Sequence, residues 1–180
     1  MKVICYGDSN TYGYDPRSYF GGRYDAGERW VDILSEKTSW TIQNEGMNGR
    51  EIPRRSISVP HGTDMLIIML GGNDLLQGNS VDQVSERMEA FLNGLQLEKN
   101  RILLLAPPPM QLGEWVPHQA LIDASIQLSR RYRALAKQVG VRFADTGEWD
   151  IPMTFDGVHF TGQGHRAFAE GLYNYLKKGE

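Results

Sequence analysis

The sequence predicts an α/β protein with the flavodoxin-like architecture, a three-layer α/β/α sandwich around a five-stranded parallel sheet. Short apolar runs alternate along the chain with segments whose apolar residues recur every three or four positions. One run, residues 64–70, is apolar almost throughout, as a strand covered on both faces must be. Parallel strands need crossover connections, so this alternation favours helices on both faces of the sheet. The 180 residues contain no linker or repeat, and we expect one domain over 1–180.

The predicted elements follow one another in a regular order. The first strand ends at Gly7 and leads into Asp8-Ser9-Asn10, and residues 11–24, which are rich in glycine and aromatic residues, are a predicted loop. The other predicted strands cover residues 40–43, 64–70, 101–106 and 141–144, the last of them at a sheet edge. The predicted helices cover residues 25–38, 80–97 and 119–139, followed by a final helix that Thr161 caps. Ser80 is a predicted N-cap and Gly140 a predicted C-cap.

Composition excludes several classes of protein. The formal net charge is −3 and acidic and basic residues are interspersed, so no nucleic-acid or polybasic membrane-binding surface is predicted. The longest apolar run is far shorter than the roughly 20 residues of a membrane-spanning helix. No apolar signal region precedes the first strand, which favours a cytoplasmic protein, although a secreted mature form would read the same. The single cysteine, Cys5, is expected to be a buried residue of the first strand.

Polar residues stand where the first three predicted strands end. Ser9 follows the first strand, Gly46 follows the second and Asn73 follows the third. The carboxyl ends of parallel strands share one edge of a sheet, where α/β proteins bind their ligands. Near the end of the chain, Asp156-Gly157-Val158-His159 precedes the last helix and supplies a carboxylate and an imidazole.

These residues can supply every part of a serine acyl-transfer site. His159 would take the proton of Ser9, and Asp156 would orient the imidazole. The N–H groups of Ser9 and Gly46 and the amide of Asn73 would stabilise the oxyanion. We therefore predict Ser9, Asp156 and His159 as catalytic residues and Ser9, Gly46 and Asn73 as the oxyanion hole.

Each of these residues also has a purely structural interpretation. His159 is compatible with a capping or core histidine, Asp156 and Gly46 with ordinary turn residues, and Asn73 with an Asx turn or a helix cap. Asp8 and Asp74 are expected to fix loops through backbone hydrogen bonds, and His165 to pack within the last helix.

Cofactor and metal motifs are absent from the sequence. No G-x-G-x-x-G, no P-loop and no pair of histidines at i, i+4 occurs, and only one cysteine is present. The G-x-S-x-G motif of the α/β-hydrolases is also absent, because Gly7-Asp8-Ser9-Asn10 is followed by Thr11 and not by glycine. We predict neither a cofactor nor a metal.

Four blocks in order resemble the SGNH hydrolases, also called the GDSL-type esterase/lipase family. The blocks are Gly7-Asp8-Ser9, Asn44-Glu45-Gly46, Gly72-Asn73-Asp74 and Asp156-Gly157-Val158-His159. Within the family, the chain is most similar to the small arylesterase/acyltransferase-type members. The segments that carry this similarity are Gly-Asp-Ser-Asn-Thr-Tyr-Gly at 7–13, Arg29-Trp30, Asn-Glu-Gly-Met-Asn-Gly-Arg at 44–50 and Ala-Pro-Pro-Pro at 106–109. One departure is Asn10, where the family usually has leucine.

The resemblance implies the SGNH hydrolase fold, no cofactor, and hydrolysis of small carboxylic esters through an acyl-serine intermediate. Arylesterase-type relatives often form homo-oligomers, but no segment of this sequence identifies an interface. The aromatic residues Tyr12, Tyr14, Trp115 and Phe155 are expected either to line the acyl or aryl pocket or to pack between loops. The alternatives within the family are a carbohydrate O-deacetylase, a thioesterase or a lysophospholipase. The alternative from another class is a non-catalytic flavodoxin-like binding module.

Overall fold

Five parallel strands form one sheet in the computed structural model, which describes residues 1–178. The strands are β1 (Lys2–Gly7), β2 (Thr41–Gly46), β3 (Met65–Met69), β4 (Ile102–Ala106) and β5 (Arg142–Asp145). Their order across the sheet is β2-β1-β3-β4-β5, so β5 lies at an edge, as predicted. This is the flavodoxin-like order, in which the direction of winding reverses between β1 and β3. Ligands of such sheets bind just beyond the strand ends at that reversal.

Six α-helices connect and cover the strands. They are α1 (Ser9–Tyr12), α2 (Trp30–Lys37), α3 (Gly72–Leu76), α4 (Val81–Gly94), α5 (Gln119–Val139) and α6 (Gly162–Lys178). The predicted caps are confirmed: Ser80 Oγ accepts from Gln83 N, Thr161 Oγ1 accepts from Gly164 N, and Gly140 ends α5 with φ +83°. None of the helices within residues 1–178 has both the length and the apolar character needed to cross a bilayer.

Alternate residues of each central strand enter two separate cores. Leu66 and Ile68 of β3 pack in the core that includes α4 and α5. Met65, Ile67 and Met69 pack in the core that includes α2 and α6. All five side chains of β3 are buried, which explains why that run is apolar without alternation. The predicted three-layer α/β/α sandwich is confirmed, and Cys5 is buried in the second core.

Three segments differ from the prediction. The helix predicted over 25–38 begins only at Trp30, after a separate 3₁₀ turn at Ala26–Glu28. Strand β2 continues to Gly46 instead of ending at residue 43, because residues 44–46 keep pairing with residues 5–7 of β1. Residues 9–12, where the predicted loop was to begin, form α1, because Asp8 Oδ1 accepts from Asn10 N at 3.0 Å and Gly13 ends the turn with φ +90°. Both α1 and α3 are too short to produce a periodic apolar pattern.

Candidate active site

The predicted site residues meet at the carboxyl edge of the sheet, where the winding reverses. Ser9 is the first residue of α1, immediately after β1, and Asn73 lies in α3, immediately after β3. Both line a cavity of about 20 Å³. The cavity is closed mainly by the apolar side chains of Pro107, Pro108, Met110, Met153 and Val158. Larger grooves elsewhere, such as one of about 230 Å³ beside Trp40, contain none of the predicted site residues.

Ser9, His159 and Asp156 form a continuous chain of hydrogen bonds. His159 Nε2 lies 2.9 Å from Ser9 Oγ, and His159 Nδ1 lies 2.7 Å from Asp156 Oδ2. All three residues are buried, with exposed fractions of 6%, 2% and 1% respectively. The structure thus brings together two segments that lie 150 positions apart in the sequence.

The charge of Asp156 determines which ring nitrogen carries the proton. Burial alone would raise the pKa of Asp156, but the His159 ring and the N–H groups of His159 and Val158 hydrogen-bond to its carboxylate and lower its pKa to about 2. At neutral pH the carboxylate is therefore an acceptor, so Nδ1 of a neutral His159 must be the donor. Nε2 is then unprotonated and can accept the hydroxyl proton of Ser9.

The loop that carries Asp156 and His159 is held in a tight turn. Asp156 Oδ1 accepts from the N–H groups of both Val158 and His159 at 2.9 Å. Gly157 has φ +80°, and a Cβ there would lie 2.1 Å from the carbonyl oxygen of Gln111, so only glycine fits. This turn lets two residues three positions apart face each other.

A second loop supports this turn, and sequence analysis missed that role. Trp115 N donates to Asp156 O at 3.1 Å and Gln111 N donates to Gly157 O at 2.9 Å. At Gly113, a Cβ would lie 2.4 Å from the carbonyl carbon of Asp156. Residues 110–118, here called the 110–118 loop, lie between the predicted strand at 101–106 and the predicted helix at 119–139. The sequence shows no pattern there, because pairing between two irregular segments leaves no periodic pattern.

Two of the four aromatic residues predicted near the pocket contact the imidazole. The rings of Tyr14 and Trp115 meet the His159 ring edge-on, with centroids 4.8 and 5.0 Å away. Trp115 and Phe155 are 48% and 60% exposed, which leaves apolar ring surface at the mouth of the site. Tyr12 instead lies under the guanidinium of Arg23, 4.3 Å from its ring centroid.

The side chain of Asn73 is held by the turn that follows β2. Asn73 Nδ2 donates to the carbonyl oxygen of Arg50 at 3.1 Å. A carboxamide nitrogen carries two hydrogens, so one N–H remains for a ligand in the cavity. The N–H of Ser9 lies at the start of α1, where backbone N–H groups have no partner within the helix.

The N–H of Gly46, a predicted oxyanion donor, is bonded within its own turn. It donates to Asn44 Oδ1 at 2.9 Å, the local bond that asparagine side chains form with the residue two positions on. A Cβ on Gly46 would lie 2.1 Å from the backbone nitrogen of Tyr12. Glycine is required at this position because α1 packs directly against β2.

The neighbouring acidic residues bind backbone groups, as predicted. Asp8 Oδ1 accepts from Asn10 N, and Asp74 Oδ2 accepts from Ile52 N at 3.1 Å. Burial raises the pKa of Asp8 to about 6, against the lowering effect of its hydrogen bonds to backbone N–H groups and of the nearby His159. His165 is fully buried between the rings of Tyr24 and Phe160, and burial lowers its pKa to about 3. Across residues 1–178 no group of three or more His, Cys, Asp or Glu side chains is arranged to hold a metal ion.

Comparison with solved structures supports the fold. A candidate arylesterase from Agrobacterium tumefaciens str. C58 superposes with a TM-score of 0.81 at 24% identity, with 98% of each chain covered. A carbohydrate acetylesterase family member from Sinorhizobium meliloti gives a TM-score of 0.80 at 25% identity, covering 98% of this chain and 97% of that one. The aryl esterase of M. smegmatis gives 0.78 at 23% identity, with 98% of each chain covered. Comparison with curated proteins gave no significant match.

The sequence matches the family model for the GDSL-like lipase/acylhydrolase family over residues 5–167. That range begins within β1, includes Ser9, Asn73, Asp156 and His159, and ends within α6. The resemblance seen in the four sequence blocks is thereby confirmed over most of the chain. The protein belongs to the GDSL-like lipase/acylhydrolase family, the SGNH hydrolases, and is a hydrolase of this esterase family.

Proposed function

We propose that this protein is a serine esterase that hydrolyses esters of short acyl groups through an acyl-serine intermediate. The single observation that carries this proposal is the buried chain from Ser9 Oγ to His159 Nε2 (2.9 Å) and from His159 Nδ1 to Asp156 Oδ2 (2.7 Å). A serine hydroxyl is a weak nucleophile unless a base accepts its proton, and this geometry supplies the base and the group that orients it.

In the proposed reaction, Ser9 Oγ attacks the ester carbonyl while His159 Nε2 takes the hydroxyl proton. The carbonyl oxygen becomes an oxyanion stabilised by the Ser9 N–H and by the second N–H of Asn73 Nδ2. His159 returns the proton to the departing alcohol as the carbon–oxygen bond breaks, leaving an acyl-Ser9 ester. Water then attacks this ester while His159 takes a proton from it. His159 gives this proton to Ser9 Oγ as the bond between Oγ and the acyl carbon breaks and the acid leaves.

The third predicted donor is the N–H of Gly46. This N–H would have to leave Asn44 Oδ1 to reach the oxyanion, and its role stays a prediction.

The size of the cavity supports a short acyl group. A cavity of about 20 Å³ holds about one water-sized group, which is the size of the methyl of an acetyl ester. A long acyl chain would have to displace Pro107, Pro108 or Met110. This argues against the lysophospholipase alternative, and the exposed Trp115 leaves room for the alcohol part outside the cavity.

A carbohydrate O-deacetylase is a second candidate function. The chain is 25% identical to the carbohydrate acetylesterase family member from Sinorhizobium meliloti over 98% of its length. A half-exposed Trp115 beside His159 offers a flat apolar surface for a sugar ring as well as for an aryl group. The acyl group is the same in both candidates, and only the alcohol differs.

Hydrolysis of p-nitrophenyl acetate, butyrate and octanoate, beside acetylated monosaccharides, tests these functions. We expect the acetate to react fastest, and Ser9→Ala to abolish turnover while the protein remains folded by circular dichroism. A fluorophosphonate should label wild type on Ser9 but not label Ser9→Ala. Full activity of Ser9→Ala would end the serine mechanism. An unlabelled, inactive wild type would favour a binding module instead.

A further inference from the structure

Asn10 replaces the leucine usual in this family with a side chain that bonds to the polypeptide on both sides of His159. Its Nδ2 donates to the carbonyl oxygen of Val158 at 3.0 Å, and its Oδ1 accepts from the N–H of Phe160 at 2.9 Å. Asn10 is only 8% exposed; its bond to Phe160 N is buried, and its bond to Val158 O is partly buried. One carboxamide thus binds the residue before and the residue after the histidine.

We propose that Asn10 is a positioning residue that holds His159 at hydrogen-bonding distance from Ser9. Asn10 is covalently linked to Ser9, so its two bonds connect the segment that carries the base to the residue next to the nucleophile. Asp156 holds the same histidine segment only from within its own loop, through the N–H groups of Val158 and His159. Asn10 supplies the connection from the loop to the nucleophile. This inference rests on the proposed serine mechanism.

The backbone of Asn10 is itself fixed, which makes its side chain a rigid anchor. The indole Nε1 of Trp30 donates to Asn10 O at 3.0 Å, and Asn10 N donates to Asp8 Oδ1. At the other end of the Asn10–Phe160 bond, Tyr24 Oη donates to Phe160 O at 3.2 Å. A leucine side chain would bind neither Val158 O nor Phe160 N, so the partly buried carbonyl and the buried N–H would both lose these partners.

The test compares Asn10→Leu and Asn10→Asp with the control Thr63→Val. Thr63 is also buried and bonds through its side chain, to Pro60 O at 2.7 Å, but it lies just before β3, at the opposite edge of the sheet. Asn10→Asp keeps an acceptor for Phe160 N but cannot donate to Val158 O. For each variant, we would measure kcat and KM on a short-chain aryl ester, the rate of fluorophosphonate labelling, and hydrogen exchange of the Phe160 amide.

In Asn10→Leu, kcat and the labelling rate should fall together by about 10- to 100-fold, because small misplacements of catalytic groups have effects of this size. KM should stay within about threefold of wild type, and the Phe160 amide should exchange at least about tenfold faster. Thr63→Val should lose a similar amount of stability to Asn10→Leu. Its kcat and the exchange rate of its Phe160 amide should nevertheless equal those of wild type. If Asn10→Leu does not fold, Asn10→Asp tests the proposal in its place. Its kcat at pH 8 should be at least about fivefold lower than that of wild type.

A kcat within about twofold of wild type in Asn10→Leu and Asn10→Asp would overturn the proposal, as would an equal fall in Thr63→Val. Slow Phe160 exchange in Asn10→Leu would overturn it too, whatever the activity. Failure of the proposed serine mechanism would look different, because wild type itself would then neither hydrolyse the ester nor react with the fluorophosphonate.

Discussion

The two halves of the candidate site differ in how completely they are assembled. On the side of the base, Ser9, His159 and Asp156 already hydrogen-bond to one another. On the oxyanion side, the polar groups bond to the protein's own backbone and side chains: Asn73 Nδ2 to Arg50 O, and Gly46 N to Asn44 Oδ1. The proposed base is therefore ready before substrate binds, whereas the proposed oxyanion donors are held by a turn whose own bonds compete for them.

The segments around the two halves therefore have different structural roles. The histidine loop is held by Asp156, Asn10 and the 110–118 loop, and each of these bonds limits where the imidazole can lie. The oxyanion side depends on the turn after β2, which Arg50 connects to β1 through its bond to Gly7 O at 3.0 Å. Variants on the two sides should therefore lower kcat by different factors.

The largest effect short of losing the nucleophile should come from Asp156→Asn. An asparagine keeps the shape but no longer fixes the tautomer in which Nε2 accepts, and kcat should fall by about 10³- to 10⁴-fold. Steady-state hydrolysis of p-nitrophenyl acetate measures this. Asp150→Asn, an exposed change a few residues earlier, should keep wild-type kcat. A loss below about tenfold in Asp156→Asn would mean that the base side does not need its carboxylate.

A smaller but still large effect is expected from Asn73→Ala on the oxyanion side. Removing one oxyanion donor costs about 10²- to 10³-fold in kcat, and KM should hardly change. The matched control is Asn174→Ala on the exposed face of α6, where the amide bonds to Glu170 in the same helix. A raised KM with unchanged kcat would remove Asn73 from the oxyanion role.

Arg50→Met tests whether the turn after β2 positions the oxyanion donors. Its guanidinium bonds to Gly7 O and Glu45 O and lies 4.1 Å from the ring centroid of Tyr6. Methionine keeps the apolar packing but none of the bonds, and kcat should fall by about tenfold. Arg54→Met, at an exposed position a few residues on, should leave kcat unchanged. Equal kcat in the two variants would show that the turn holds without the guanidinium.

The smallest effect on kcat should come from Asp8→Asn, which lies between the two halves and should act mainly on stability. Burial raises the pKa of Asp8 to about 6, above the value of about 3.9 in an unfolded chain. Between these values the native state binds more protons than the unfolded state, so the Asp8 contribution to stability falls as pH rises. Asparagine can still accept from Asn10 N and avoids the buried charge, so it should stabilise the protein by about 2–3 kcal/mol at pH 8.

Urea unfolding of wild type and Asp8→Asn at several pH values measures this difference. The gap in unfolding free energy should close as pH falls from about 7 to about 4, where Asp8 becomes protonated in the native state. A variant less stable than wild type at pH 8 would show that the carboxylate gains more from its neighbours than burial costs.

Much of the site could be predicted because its residues stand beside apolar runs. The runs identify the strands, the shared direction of parallel strands puts their ends on one edge, and Ser9 and Asn73 follow two of those ends. The Asp156-Gly157 turn was also readable, since Asp-Gly favours a turn that can bring His159 back toward the carboxylate. Helices α1 and α3 were not predicted, because four or five residues are too few to show a periodic apolar pattern.

By itself, the sequence determined the strand and helix order, the two-faced burial of β3 and the family, because each depends on residue types at short and regular spacing. Only the tertiary structure decided which donors and acceptors meet. In the structure, the Gly46 N–H donates to Asn44, and the 110–118 loop packs against Asp156. Asn10 bonds to both chain neighbours of His159. The last two contacts join residues far apart in the chain, and a hydrogen bond at such a separation depends on how the layers pack, which no local pattern of residues records.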